Sequence, residues 1–267
     1  MTIEVDITHK CNLSCRHCNR LCNAEKQYGI SRTVLDMDMR HIQYLRSEIL
    51  RLPKGSINHI RIIGGEPLLS NIIIPSTQLF KTLLDEGFIK SISIVTNGTI
   101  PVPELCKPYI VYAPKKVGDL IKEKGVLSSK DVYLIKNFKH RNITLTPLDF
   151  NLDYKICDRV KECGIHYSVY GFAYTAPCFP SLMIAKRNHQ YFVRHLPINI
   201  LDLISGNFEK DVCSICNFAI ENYNKIVELN PQIQSAKYIG EEWKIFINLN
   251  KHSYTEPDTS WINNINI

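Results

Sequence analysis

Three cysteines, Cys11, Cys15 and Cys18, stand at C-x-x-x-C-x-x-C spacing directly after the alternating run Ile3-Glu4-Val5-Asp6-Ile7. Alternation of apolar and polar residues reads as a β-strand, which places the thiols on the loop at its C-terminal end. Three thiols on one loop can converge on one metal centre. A cubane of four irons has four corners, so three thiolates leave one iron open to an outside ligand. Zinc is the competing reading, but structural zinc sites are closed by four protein ligands and are more often built from C-x-x-C pairs.

A second feature, Gly64-Gly65-Glu66-Pro67, ends the strand-like run His59-Ile60-Arg61-Ile62-Ile63. Alone it reads as a turn. One strand–helix unit after the cysteine loop, it resembles the GGEP motif of the radical S-adenosylmethionine (SAM) family. In that family the amino and carboxylate groups of SAM chelate the open iron. An electron from the cluster then cleaves SAM to methionine and a 5'-deoxyadenosyl radical. The resemblance implies a [4Fe-4S] cluster on Cys11, Cys15 and Cys18. It also implies SAM held at its amino group by Gly64, Gly65, Glu66 and Pro67, and an external electron donor such as flavodoxin or ferredoxin. The residue types suit that task, since an ammonium needs acceptors and glycines let the backbone approach closely.

Thr96 and Asn97 fall where members of the family place polar groups toward the SAM ribose or carboxylate, although a strand-ending Asn-Gly turn accounts for them equally well. His17 occupies a position where the family usually carries an aromatic residue whose backbone meets the adenine. A solvent-facing imidazole is its alternative.

Further along, Cys178 is followed by Cys213-Ser214-Ile215-Cys216. A thiol, a hairpin and then C-x-x-C resemble the SPASM and twitch extensions of the family, which bind auxiliary [4Fe-4S] clusters. No cysteine follows Cys216, so the resemblance implies one auxiliary cluster on Cys178, Cys213 and Cys216. Its fourth ligand is left open, and structural zinc is the alternative. Cys157 and Cys163 lie on an apolar helical stripe and read as core thiols, whereas Cys22 and Cys106 fall on loops near the expected mouth.

The elements that must position these residues alternate. Helical spacing of Met39, Ile42, Leu45, Ile49 and Leu52 ends at Pro53. A strand at 59–63, a helix opened by Pro75-Ser76 and closed by Gly87, and a strand at 91–95 follow. Weaker signals mark strands at 109–112 and 143–146, helices at 129–138 and 152–163, and a sixth strand at 166–170. Strand–helix alternation predicts parallel strands with helical crossovers. The expected architecture is therefore α/β, a partial (β/α)6 barrel over 1–172 with chemistry at the C-terminal strand ends. A small twitch-like extension is expected over 173–267.

At 267 residues, 45% hydrophobic and 22% charged, the chain is long enough to bury a substantial core. No apolar run is long enough to span a membrane and no signal peptide opens the chain, so the cytoplasm is the expected location. Ten cysteines there point to metal more than to disulfides. A net charge of +6 is mild, and no basic run carries interleaved aromatics, so nucleic acid is not an expected partner.

The implied reaction is hydrogen-atom abstraction from an unactivated C–H bond. Ribosomally made peptides, modified by cross-linking, oxidation or epimerisation, are the first expected substrate class. The first strand begins at Ile3, so a peptide substrate is expected to need a separate recognition protein. A twitch-type dehydrogenase of an aminocyclitol or sugar is the second reading, and a zinc-stabilised binding protein without catalysis is the third.

Overall fold

The computed structural model describes residues 1–13, 22, 33–113, 115–136, 165–169, 171, 173–174 and 259–265. Their framework is a six-stranded sheet: β1 Thr2–Thr8, β2 His59–Gly64, β3 Ile92–Thr96, β4 Ile110–Tyr112, β5 Ile165–Tyr167 and β6 Ala173–Tyr174. The spatial order is β4-β3-β2-β1-β5-β6. Every pairing is parallel except the last, where β6 returns antiparallel on β5.

Register explains the core. Ile3 faces Ile60 on one side and Ile165 on the other, and Ile60 faces Ile92. The next layer repeats the pattern with Val5, Ile62, Ile94 and Tyr167. These side chains form one apolar face, because alternate residues of a strand point the same way. They share a cluster with Ile42, Leu45 and Ile49 of helix α1, Met39–Leu50, and with Phe80 and Leu83 of α2, Ile73–Asp85. Asp38 starts α1 with a reciprocal cap: its carboxylate accepts from Arg40 N, and its own N–H donates to His41 Nδ1 at 3.2 Å. Gly87 follows α2 with φ 79° and donates to the Leu84 carbonyl, closing that helix as its position in the sequence leads one to expect. Helices α3, Lys115–Lys124, and α4, Ser129–Lys136, follow β4.

Strands 59–63, 91–95 and 109–112 form within one residue of expectation at either end, and α2 starts two residues before Pro75. Helix α3 was not expected. The strand order places β1 between β2 and β5, where an open partial barrel wound in chain order would leave it at an edge. Here β1 is interior, paired on both sides and buried from Ile3 to Thr8. The reason is that a strand buried on both faces is most stable with both edges hydrogen-bonded. A closed barrel is not formed among the described residues. The expected strand at 143–146 and helix at 152–163 lie outside them. The C-terminal turn Ser260–Asn264 packs on α1, with the Trp261 ring edge-on to His41 and Tyr44 at centroid distances of 5.3 and 5.5 Å.

Candidate cluster and cofactor site

The loop leaving β1 is held in place by backbone. Gly65 N donates to the Thr8 carbonyl at 2.7 Å and Glu66 N to the Lys10 carbonyl at 2.8 Å, so the Gly-Gly-Glu-Pro turn and the residue before Cys11 are stitched together. Only glycines permit this contact. A Cβ on Gly64, whose φ is 149°, would stand 2.3 Å from the Thr8 carbonyl oxygen, and one on Gly65 2.1 Å from that of Lys10. From the other side, His9 N donates to the Leu35 carbonyl at 2.7 Å, Thr8 Oγ1 lies 2.7 Å from Asp36 Oδ1, and Lys10 pairs with Asp36.

Glu66 has no solvent exposure. Its Oε1 accepts from Thr96 Oγ1 at 2.8 Å and Leu68 N at 3.1 Å, and its Oε2 accepts from Asn97 N at 2.8 Å. Burial raises its pKa, and the donors from Asn97, Thr96 and Leu68 pull it partly back. The carboxylate therefore ties the turn after β2 to the end of β3. Pro67 opens the short 3-10 turn that Glu66 caps.

Asn97 closes the arrangement beside Cys11. Its Oδ1 accepts from Thr99 N at 3.0 Å and from Thr99 Oγ1 at 2.5 Å, while its Nδ2 reaches Asn12 Oδ1 at 3.0 Å and Cys11 Sγ at 4.0 Å. Asn12 Nδ2 in turn donates to Thr99 Oγ1 at 2.7 Å, and Leu13 N donates to Cys11 Sγ at 3.5 Å. Asn12 and Thr99 were not expected from the sequence. Their signal was adjacency: one follows the first thiol and the other follows Asn97-Gly98.

Cys11, Gly64, Gly65, Glu66, Pro67, Thr96 and Asn97 are thus brought together at the C-terminal ends of β1, β2 and β3. His17, Cys15, Cys18, Cys178, Cys213 and Cys216 lie outside the described residues. Cys106 belongs elsewhere: it is fully buried in the apolar cluster, 3.6 Å from Thr77 Oγ1 of α2, and burial raises its pKa. Among the described residues no group of three or more His, Cys, Asp or Glu is arranged to hold a metal ion. The donor set does fit an iron–sulfur cluster at Cys11, the one thiol of the Cys11, Cys15 and Cys18 set among the described residues. Cys11 is partly exposed and not in a disulfide, and two N–H donors point at its sulfur, which suits a thiolate.

A second polar group occupies the sheet face away from α1 and α2. His166 places Nδ1 3.6 Å from Glu4 Oε2 and Nε2 3.3 Å from Asp6 Oδ2; His9 Nε2 lies 3.4 Å from Asp6 Oδ2. Arg61 donates to Glu4 Oε1 at 2.6 Å. His59 bridges the Ser91 and Ser93 hydroxyls at 2.7 and 2.8 Å, and burial, then Arg61, lowers its pKa against a smaller opposing pull from Glu4. Parallel sheets normally bury apolar residues on both faces, so this charged row departs from what stability alone would select.

No family model matches the chain. Part of it is similar to curated proteins. It is 30% identical over 103 residues to a probable GTP 3',8-cyclase of Methanothermobacter marburgensis, covering 38% of this chain and 28% of that protein. It is 35% identical over 95 residues to the 7-carboxy-7-deazaguanine synthase of Methanospirillum hungatei, covering 36% and 33%. A GTP 3',8-cyclase of Corynebacterium glutamicum is 34% identical over 99 residues, covering 36% and 24%. The matched stretch therefore spans between a quarter and a third of the relatives' length. No helix among the described residues is long and apolar enough to cross a membrane.

Proposed function

We propose that the protein is a radical SAM enzyme, with a [4Fe-4S] cluster on Cys11, Cys15 and Cys18 and SAM against Gly64, Gly65, Glu66 and Pro67. The observation that carries this reading is the stitching of the Cys11 loop to the Gly-Gly-Glu-Pro turn, with Asn97 reaching Cys11 from β3. Partial similarity to two kinds of radical SAM enzyme supports it. When bound, the cluster and SAM supply abstraction of a hydrogen atom from the substrate.

The chain's own residues hold and orient. Gly64 and Gly65 let the β1 loop and the turn meet, and Glu66 fixes the turn against Thr96 and Asn97. On the sheet face away from α1 and α2, Glu4, Asp6, His9 and His166 are buried and paired with one another. An auxiliary [4Fe-4S] cluster on Cys178, Cys213 and Cys216 would take up the electron left after abstraction, or bind substrate, and this goes with peptide modification. A second substrate class, a guanine-like heterocycle, is favoured by the relatives' names, GTP 3',8-cyclase and 7-carboxy-7-deazaguanine synthase.

The deciding experiment is iron and sulfide analysis of anaerobically purified protein beside a Cys11→Ala, Cys15→Ala, Cys18→Ala variant, with 5'-deoxyadenosine release measured after reduction. The parent should bind iron and release 5'-deoxyadenosine, and the variant should release none. A variant that keeps about half the iron supports the auxiliary cluster. A colourless parent that leaves SAM intact rules out the assignment.

A further inference from the structure

We propose that Asn97 sets the reduction potential of the cluster by directing its amide N–H at Cys11 Sγ, with Thr99 and Asn12 locking the amide in that sense. The inference rests on the radical SAM reading and goes beyond it, because it assigns Asn97 an electronic role through the protein's own thiol. Asn97 acts through Cys11 and is a positioning residue.

The amide orientation follows from chemistry. Thr99 N can only donate, so the Asn97 atom 3.0 Å from it must be the oxygen, and the NH2 group must be the end that faces Asn12 and Cys11. Asn12 then has its own oxygen toward Asn97, which leaves its NH2 for Thr99 Oγ1. The hydroxyl of Thr99 accepts from Asn12 and donates to Asn97. These three side chains thus form a closed ring in which every bond has one allowed direction, so the amide cannot flip without breaking all of it.

Leu13 N–H already donates to the same sulfur at 3.5 Å, and the 4.0 Å reach of Asn97 adds a second donor from another element of the fold. Donors to a ligating sulfur stabilise the reduced, more negative state and so raise the potential. Asn97 also stands beside Glu66, whose carboxylate takes the Asn97 backbone N–H, so the residue that senses the turn is the one that touches the thiol.

The test is an EPR-monitored redox titration of the anaerobically purified protein without SAM, on the parent and on Asn97→Leu, Thr99→Val and Thr99→Ser. Asn97→Leu should move the reduction equilibrium toward the oxidised form by up to about tenfold, that is ~59 mV for a one-electron couple. Thr99→Val should give a smaller shift of the same sign, and Thr99→Ser, which keeps the hydroxyl, should match the parent. A purely structural role would lower iron content without this pattern. Equal potentials in parent, Asn97→Leu and Thr99→Val, at equal iron content, overturn the inference while leaving the radical SAM reading in place. If Asn97→Leu fails to fold, Thr99→Val against Thr99→Ser decides. A parent with no iron–sulfur signal overturns both.

Discussion

Gly65 illustrates how a residue chosen for a site can be fixed by the distance between two strands of backbone. Its Cβ would collide with the Lys10 carbonyl at 2.1 Å, whereas one on Gly87 would meet nothing within 4 Å. Gly65→Ala should therefore destabilise the fold by several times the ~1 kcal/mol expected of Gly87→Ala, whose cost is only its left-handed φ. Urea denaturation of both variants checks this, and Gly65→Ala alone should also lose iron. Glu66→Gln probes the neighbouring residue. The amide still accepts from Thr96 and Leu68 through its oxygen, but its NH2 then meets the N–H of Asn97, donor against donor. We expect a loss of ~1–3 kcal/mol, read as a lower denaturation midpoint. Equal midpoints for parent and Glu66→Gln would show that Oε2 is not needed as an acceptor.

At the scale of elements, the apolar cluster rests on α2 as much as on the sheet. Phe80 is completely buried against it, and Phe80→Ala should cost ~3–5 kcal/mol by calorimetry or denaturant melting. The helices and strands of the first half were legible in the sequence, because Met39, Ile42, Leu45 and Ile49 hold a helical period and the runs ending at Gly64 and Thr96 stop at turn residues. Helix α3 was not. Its lysines, Leu120 and Glu123 favour a helix, but Gly118 interrupts the short run, and Val117 packs it against Leu13. The motif residues were legible by type, and the contact that joins Asn97 to Asn12 was not, since it crosses between two elements 85 residues apart. The row Glu4, Asp6, Arg61 and His166 was hidden for a different reason. Acids alternating with Ile and Val read as a solvated face, and only three-dimensional covering makes them buried.

For the molecule as a whole, His41 links acidity to stability. Burial lowers its pKa, Arg40 adds to that in a small way, and Asp38 opposes both. Its Nδ1 accepts from Asp38 N, and its Nε2 is buried with no hydrogen-bond partner beside Trp261. The folded imidazole thus binds a proton less readily than the unfolded one. Its contribution is fully present above the unfolded pKa of about 6.5 and is lost as pH falls below it toward the depressed folded value. Melting temperature measured between pH 8 and 5 should drop more steeply in the parent than in His41→Gln, which keeps an acceptor for the cap; parallel curves would assign the acid sensitivity elsewhere. Strand order was the part of the architecture least visible in the sequence, because nothing local to β1 says which strand will lie on its far side. That order has a consequence for biosynthesis. Strand β1 leaves the ribosome before the strands it pairs with, and one of its edges waits for β5, about 160 residues later. At ordinary elongation rates of ~5–20 residues per second the nascent chain carries an open, isoleucine-rich edge for roughly ten to thirty seconds, the interval in which chaperone protection matters most for its yield.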